Sequence, residues 1–192
     1  PPRPGPGPAG VAWALAPRAR RAGCVVSCFA NLRHNRWPGG GANASLVTQL
    51  LAGAELLKLS LEELDYLRAD HPADAWLSER LAAGVKVILI TDGPNEVVLK
   101  GVGFDQRIAP PAVDAVDTTA GGDAFIAGLL AENSAHDINE HGQRNLDFHT
   151  RAVATACPCG SHASSRPGAS PALPTPDNVR PELLQGPATA PA

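Results

Sequence analysis

The sequence lacks methionine altogether, lacks a long apolar run and carries little net charge. A natural chain begins with methionine, so we expect these 192 residues to be a processed chain or an excerpt. No apolar run reaches the roughly 20 residues that a membrane-spanning helix needs. A net charge of −3 gives no reason to expect nucleic acid or a membrane surface as the main partner. We therefore expect a soluble, cytoplasmic globular domain with one core.

Cysteine is scarce and its spacing does not suit a metal site. The four cysteines form one C-x3-C pair, Cys24 and Cys28, and one C-P-C group, Cys157 to Cys159. Zinc sites usually repeat a C-x2-C or similar knuckle, which is missing here. A tight chelating turn at the C-P-C group is one interpretation. Ordinary reduced thiols of a cytosolic protein are the interpretation that we favour.

Acidic residues are absent before Glu55, whereas arginine recurs there. The opening "PPRPGPGPAG" has no periodicity and predicts extended or disordered chain. The following "VAWALAPRARRAG" resembles either a transit peptide or a truncated amphipathic helix, and we favour the helix. The domain prediction is thus a Pro/Gly/Arg-rich, partly disordered start at 1–22, a folded portion at 23–184 and a flexible tail at 185–192. A short last helix is predicted within "PTPDNVRPELL".

The folded portion alternates apolar runs with helical patterns. Strands are predicted at "CVVSCFA", "ELLKLS", "VKVILITDG" and "NEVVLKGVG", and an extended segment at "QRIAPPAVDAV". Helices are predicted after Asn43 or Ser45, after the capping box of Ser60 and Glu63, and before Gly84. Such alternation predicts an α/β domain with a mainly parallel sheet, whose ligands collect at the carboxyl ends of the strands.

The stretch "AVDTTAGGDAFIAGLLAEN", residues 115–133, carries the densest chemistry. Glycine lets backbone approach a ligand closely, and a helix beginning near Gly122 directs unpaired N–H groups outward. These groups and the helix dipole suit a phosphoryl group, and Asp123 beside them could accept a proton from a hydroxyl. The alternative is structural, because Asp is common in the first turn of any helix and Gly-Gly is common in loops.

"DTTAGGDAFIAGLL" resembles the second signature of the PfkB (ribokinase-like) carbohydrate kinases, usually D-T-T-G-A-G-D-x-F. Four more segments resemble fructokinases of that family in the same order: "ANLRHNRW", "KLSLEELDYL", "LITDGPNEVVL" and "RPGASPALPT". The resemblance implies a ribokinase-like three-layer α/β/α fold, with the N-terminal half and the lid missing, and an ATP-binding and catalytic portion at 23–184.

The resemblance also implies roles for individual residues. Asp123 would be the catalytic base, and the N–H groups of Ala120, Gly121 and Gly122 would form the anion hole. Four further groups complete the site, each with a structural alternative. Thr91 and Gly93 would contact ATP or be turn residues. Asn31 and Arg33 would border the phosphate site, or Arg33 would be a solvated charge. Glu63 would organise Mg2+ through water or only cap a helix, and Asp117 and Thr119 would bind a monovalent cation, or Asp117 would cap a turn.

Several positions depart from the family pattern. Ala120 stands where glycine is usual, and alanine would cost on the order of 1 kcal/mol if that position needs positive φ. Ser60 replaces the asparagine of N-x-x-E, and Glu96 would repel ATP phosphates. His162, in a disturbed segment that normally helps to wall the adenine site, is expected to be a loop histidine.

The implied activity is an ATP-dependent sugar kinase, foremost for D-fructose, with Mg2+ and K+ as ions and a homodimer as the full-length form. Two alternatives stay open: a truncated, non-catalytic remnant that binds nucleotide or a partner, and a kinase for another small sugar or sugar acid.

Overall fold

The computed structural model describes residues 8–135, 145–175 and 177–179. The predicted tail at 185–192, most of the predicted last helix and the first seven residues lie outside this range. The described residues divide into two compact units. Unit 1 falls within Pro1–Asp92 and Val98–Asp105, and unit 2 falls within Gly93–Val97 and Gln106–Ala192.

Six helices and five strands make up the described chain. The α-helices are α1 (Pro8–Arg21), α2 (Ala44–Leu51), α3 (Leu61–Arg68), α4 (Ala73–Ala82), α5 (Gly121–Ala135) and α6 (Leu146–Ser164). The strands are β1 (Ser27–Phe29), β2 (Leu56–Ser60), β3 (Val87–Thr91), β4 (Val97–Gly101) and β5 (Phe104–Ile108). Short 3-10 turns occupy His34–Arg36, Pro38–Gly40 and Ser170–Ala172. The helix that we predicted within residues 11–23 is present as α1.

The sheet has the order β1-β2-β3-β4-β5. β1 pairs with β2 and β2 with β3 in parallel, whereas β3 pairs with β4 antiparallel. The first four residues of β2 and of β3 are all buried, which is the pattern of strands covered on both faces. The leucine-rich segment "LLKL", with its buried Lys58, and the continuous apolar run "VILI" therefore predicted these two strands correctly.

Two helices of unit 1, α2 and α3, begin where side chains can satisfy their first N–H groups. The Asn43 side chain accepts a hydrogen bond from Leu46 N at 2.9 Å and caps α2. Ser60 caps α3 in a complete capping box with Glu63. Gly84 follows α4 with φ +115°, a conformation that favours glycine. A core of buried leucine, isoleucine, valine and tryptophan side chains joins α2, α3 and α4 to the strands.

In unit 2, α5 and α6 pack through small residues. A Cβ added to Gly128 of α5 would lie 2.8 Å from the Cys159 sulfur and 3.1 Å from Ala156 Cα on α6. A Cβ added to Gly160 would lie 3.2 Å from the carbonyl oxygen of Gly121. Only glycine permits these helices to approach so closely, so the spacing of α5 from α6 depends on these positions.

The segment around Cys157, Pro158 and Cys159 lies inside α6 rather than in a turn. Proline removes one helical hydrogen bond, that to the carbonyl of Ala154, but Ala154 is exposed and water can reach it. The loop assigned to His162 is also wrong, because this residue lies in α6 with 0% of its surface exposed. Burial of this helix face overrode the local turn signal of the proline.

Candidate active site

The motif at the start of α5 forms a tight turn that leads directly into the helix. Gly121 N donates to Thr118 O at 3.1 Å, and Ala124 N donates to Ala120 O at 2.9 Å. Ala120 is buried, and it is not among the described residues with positive φ. Alanine therefore carries no left-handed penalty at this position. The backbone of this chain tolerates Ala120 in place of the glycine that is usual in the signature.

Gly122 and Asp123 are the open part of this turn. Both residues are exposed, and a Cβ added to Gly122 would meet nothing within 4 Å. Within the described ranges, no acceptor takes the N–H of either residue, as expected for the first turn of an α-helix. No described residue donates to the Asp123 carboxylate. Two outward N–H groups and a bare carboxylate thus share one helix start, where the helix dipole favours an anion.

The N–H of Gly121 differs from its neighbours because the turn already uses it. Its bond to Thr118 O occupies one of the three N–H groups that the resemblance assigned to an anion hole. The N–H of Ala120, by contrast, has no acceptor among the described residues. Among the described groups at this helix start, the N–H groups of the buried Ala120 and of the exposed Gly122 and Asp123 therefore have no acceptor, and an anion could bond to them.

Asp117 holds the turn in place. Its Oδ1 accepts hydrogen bonds from Thr119 N at 2.9 Å and from Thr119 Oγ1 at 2.6 Å, and its Oδ2 accepts from Gly168 N at 3.0 Å. The Thr119 hydroxyl, then the Thr119 and Gly168 amides, lower the pKa of the Asp117 carboxyl below its usual 3.8. The N–H groups of Val116 and Asp117 donate to Ser164 O at the end of α6, at 2.8 and 3.2 Å.

Glu63 plays a similar role in unit 1. Its Oε2 accepts from Ser60 N at 2.8 Å, and its Oε1 accepts from Leu32 N at 3.0 Å. The Ser60 hydroxyl accepts from Glu63 N at 3.1 Å. The capping-box interpretation is therefore confirmed, and the same carboxylate also fixes the segment after β1. Each Glu63 oxygen keeps a further lone pair that could accept from water.

Leu32 is held on three sides. Its side chain is buried, its N–H bonds to Glu63, and its carbonyl accepts from Trp37 Nε1 at 2.7 Å. This explains the spacing of the N-L-R-x-x-x-W segment, since the tryptophan returns to the leucine through a 3-10 turn. On either side, Asn31 and Arg33 are exposed with φ of 40° and 42°. Such left-handed backbone is strained for arginine and persists only where its surroundings fix it.

The predicted residues of unit 1 follow three neighbouring strand ends. Asn31 and Arg33 follow β1, Glu63 follows β2, and Thr91 ends β3. Because these strands are parallel, their carboxyl ends lie at one edge of the sheet, and Ser60 is in register with Thr91. Thr91 Oγ1 donates to Leu59 O at 3.4 Å. In such sheets this edge is where ligands bind.

Gly93 belongs to unit 2 and has φ +53°, a left-handed conformation that favours glycine. Glu96, which we expected to disturb a nucleotide, is exposed. The conformation of Gly93 fits the turn-residue interpretation and leaves an ATP contact as a prediction.

Sequence reasoning missed three residues that hold the predicted residues in place. Ser164 and Gly168 act through their own backbone groups, and Trp37 donates its indole N–H to the carbonyl of Leu32. Such contacts leave no residue-type signal in a single sequence, although the R-x-G-A and N-L-R-x-x-x-W resemblances include Gly168 and Trp37.

Cys157 is buried, which raises the pKa of its thiol to about 12, and burial also raises the pKa of the Cys159 thiol. Two residues apart on a helix, these thiols point in different directions and cannot chelate one ion.

Among the described residues, no group of three or more His, Cys, Asp or Glu could hold a metal ion. In the same part of the chain, no helix is both long enough and apolar enough to cross a bilayer.

Comparison with known proteins places these features in a family. Residues 9–176 match the family described as pfkB family carbohydrate kinase. The chain is 34% identical over 166 residues to a fructokinase from Klebsiella pneumoniae, covering 85% of this chain and 52% of that protein. It is 33% identical over 163 residues to aminoimidazole riboside kinase from Salmonella typhimurium, covering 84% and 49%. The chain thus spans about half the length of the curated relatives that it matches.

A solved structure gives the same result for the fold. Fructokinase from Xylella fastidiosa, solved with bound ATP, aligns with a TM-score of 0.82 at 29% identity, covering 89% of this chain and 55% of that chain. The predicted ribokinase-like α/β fold with a mainly parallel sheet is therefore confirmed.

Proposed function

Because this chain belongs to the pfkB family of carbohydrate kinases, we propose that it provides the catalytic portion of an ATP-dependent sugar kinase, with Asp123 as the general base. The observation that carries the proposal is the exposed start of α5, where the Asp123 carboxylate and the N–H groups of Gly122 and Asp123 have no hydrogen-bond partner among the described residues. Hydrogen bonds of Asp117 with Thr119 and with the carbonyl of Ser164 hold that turn, so its carboxylate and N–H groups have a defined orientation.

In the proposed reaction, an Asp123 oxygen accepts the proton of a sugar hydroxyl as that oxygen bonds to the γ-phosphorus of ATP. The bond from the γ-phosphorus to the β,γ-bridging oxygen breaks, and ADP leaves with that electron pair. The N–H groups of Gly122 and Asp123 donate to the phosphoryl oxygens, with Ala120 as a further donor, while Gly121, whose N–H bonds to Thr118 O, shapes the backbone of the anion hole. Fixed donors of this kind supply much of the catalysis in phosphoryl transfer.

Thr91 and Gly93 are proposed to contact the ATP phosphates, and Asn31 and Arg33 to border the transferring group. The left-handed backbone of Arg33 supports this, because strained positions concentrate at functional sites. Arginine also offers a planar set of donors that suits phosphate oxygens.

Mg2+ fits the residues in an indirect role. Both Glu63 oxygens already accept backbone N–H groups, so this carboxylate is suited to receive hydrogen bonds from metal-bound water rather than to bind the ion itself. Bound Mg2+ would neutralise charge on the ATP phosphates. A monovalent cation fits less well at Asp117, since three donors already occupy its two oxygens. We therefore propose Asp117 and Thr119 as a loop clamp and route no step through K+.

D-fructose is the proposed sugar, supported by the fructokinases among the relatives. The similarity to aminoimidazole riboside kinase supports a second candidate, a riboside or another small sugar. A non-catalytic protein that binds nucleotide or a partner is the alternative of a different class.

The test compares wild type with Asp123→Asn and with Asp147→Asn in ATP-dependent phosphorylation of fructose and of aminoimidazole riboside. Asp147 is a matched control, since it is also an exposed aspartate in the first turn of a helix, α6. We expect Asp123→Asn to reduce turnover by about 10²–10⁴-fold, while Asp147→Asn leaves it unchanged. Equal turnover in wild type and Asp123→Asn would refute the base. ATP binding by wild type without turnover of either sugar would favour the nucleotide-binding alternative.

A further inference from the structure

Ser164, the last residue of α6, touches the candidate anion-binding turn in two ways. Its carbonyl accepts the N–H groups of Val116 and Asp117. Its hydroxyl oxygen lies where a side chain on Gly121 would be, because a Cβ added to Gly121 would come within 2.6 Å of Ser164 Oγ. Real Cβ atoms do not approach other atoms this closely, so a side chain at position 121 would require the Ser164 hydroxyl to leave its present rotamer.

The remaining surroundings of Gly121 leave room for a methyl group. The added Cβ would lie 3.7 Å from the carbonyl oxygen of Gly160 and 4.0 Å from Ser164 Cβ, which are ordinary van der Waals distances. Among the described residues, the Ser164 hydroxyl is therefore the one group that crowds a side chain at position 121. Gly160 and Ser164 lie four residues apart on α6 and face Gly121 from the same side.

This arrangement matches the exchange of residues in the motif. The usual signature, D-T-T-G-A-G-D, has alanine at the second of the two exchanged positions, where this chain has Gly121. The space of that alanine methyl is taken here by the Ser164 hydroxyl. The exchange at 120 and 121 is thus compatible with the packing of α5 on α6 because residue 164 supplies the missing volume.

We propose that Ser164 is a positioning residue whose hydroxyl packs against Gly121 and sets the orientation of the first turn of α5. The inference rests on the proposed function, since its consequence is measured at the phosphate-binding groups of Gly122 and Asp123. Displacing Gly121 from α6 would move these adjacent groups with the helix start. Displacements near 1 Å can cost up to about 100-fold in enzymes.

The experiment is a four-protein cycle of wild type, Gly121→Ala, Ser164→Ala and the double variant. The Kd for ATP in the presence of Mg2+ is measured by calorimetry, and Tm by thermal unfolding. Gly121→Ala should weaken ATP binding by about 10-fold or more and lower Tm by about 3–10 °C. Ser164→Ala in the Gly121→Ala background should restore both quantities, because alanine keeps the Cβ and removes the hydroxyl.

The failures of the two proposals are distinguishable. If wild type binds ATP and Gly121→Ala binds it equally well, the hydroxyl simply rotates away and the positioning role is refuted. A double variant no better than Gly121→Ala would also refute it. If Tm shows the coupling while the Kd values of all four proteins agree, the contact is structural only and the positioning role fails. If wild type binds no ATP, the proposed function fails, and the coupling in Tm still decides whether the packing pair exists.

Discussion

Replacing Gly122 by alanine should stabilise the fold and at the same time weaken ATP binding. Gly122 lies in the first turn of α5 without positive φ, and its missing Cβ faces open space. Glycine is a poor helix former, so the backbone gains nothing from glycine at this position. The remaining reason for glycine is the close approach of a ligand.

The stability gain follows from helix propensity and from the smaller entropy of the unfolded chain. We expect about 0.4–1 kcal/mol, which corresponds to a rise in Tm of about 1–4 °C for a chain of this size. The binding loss follows from displacement of a phosphoryl oxygen from a backbone donor. A hydrogen bond to a charged group is worth about 1.5–3 kcal/mol, so ATP affinity should fall by about 10- to 100-fold.

Gly128→Ala is the matched control, because it makes the same change two turns further along the same helix. Its added Cβ would lie 2.8 Å from the Cys159 sulfur and 3.1 Å from Ala156 Cα. Overpacking at such a contact costs about 1–3 kcal/mol, so this variant should be less stable while its folded form keeps its ATP affinity.

The assay pairs thermal unfolding with calorimetric titration of ATP and Mg2+ for wild type and both variants. A lower Tm for Gly122→Ala would mean that the fold itself requires glycine there. An unchanged ATP affinity for Gly122→Ala would refute the approach of phosphate to this turn. Either result would remove the main support for the proposed anion hole.

Two further predictions concern the clamps around the site. Trp37→Phe removes the donor to Leu32 O and should lower the free energy of unfolding by about 1 kcal/mol in urea denaturation; an unchanged value would show that the 2.7 Å bond contributes nothing. Asp117→Asn should lower Tm most at neutral pH. The pKa of the Asp117 carboxyl is lowered from 3.8 in the folded chain, so the charged carboxylate stabilises the fold above pH 3.8. This stabilisation is lost as the pH falls through the folded-state pKa. The Tm gap to wild type should narrow as the pH falls below 3.8, and a gap that is constant with pH would contradict the clamp.

Local signals in the sequence predicted the elements whose causes are local. Ser60 and Glu63 stand three residues apart and form the capping box, and the apolar run before Thr91 becomes a strand covered on both faces. The helix start at Gly121 was likewise readable from glycine followed by an acid and an apolar pattern. Each of these depends on neighbours within a few residues.

Other features depend on contacts between distant residues and were not predictable. Pro158 between two cysteines indicates a turn locally, yet burial against α5 keeps it in a 19-residue helix. The strain at Ala120, which we expected only if that position needs positive φ, does not arise, because Ala120 is not among the described residues with positive φ. The left-handed backbone of Arg33 is fixed by the bonds on Leu32, which no residue pattern reveals.

Hydrogen bonding separates the three acids that the sequence brought forward together. Both oxygens of Asp117 and of Glu63 accept hydrogen bonds from neighbouring loops, so these carboxylates hold the chain in shape. Asp123 accepts none from the described residues, although it lies in the first turn of a well-formed helix. A carboxylate that accepts no hydrogen bond from the described residues can take a proton from a substrate without cost to the fold, whereas protonation of one that holds two segments together would weaken its bonds. The hydrogen-bond partners, rather than the residue type, therefore distinguish the two clamps from Asp123, the proposed base.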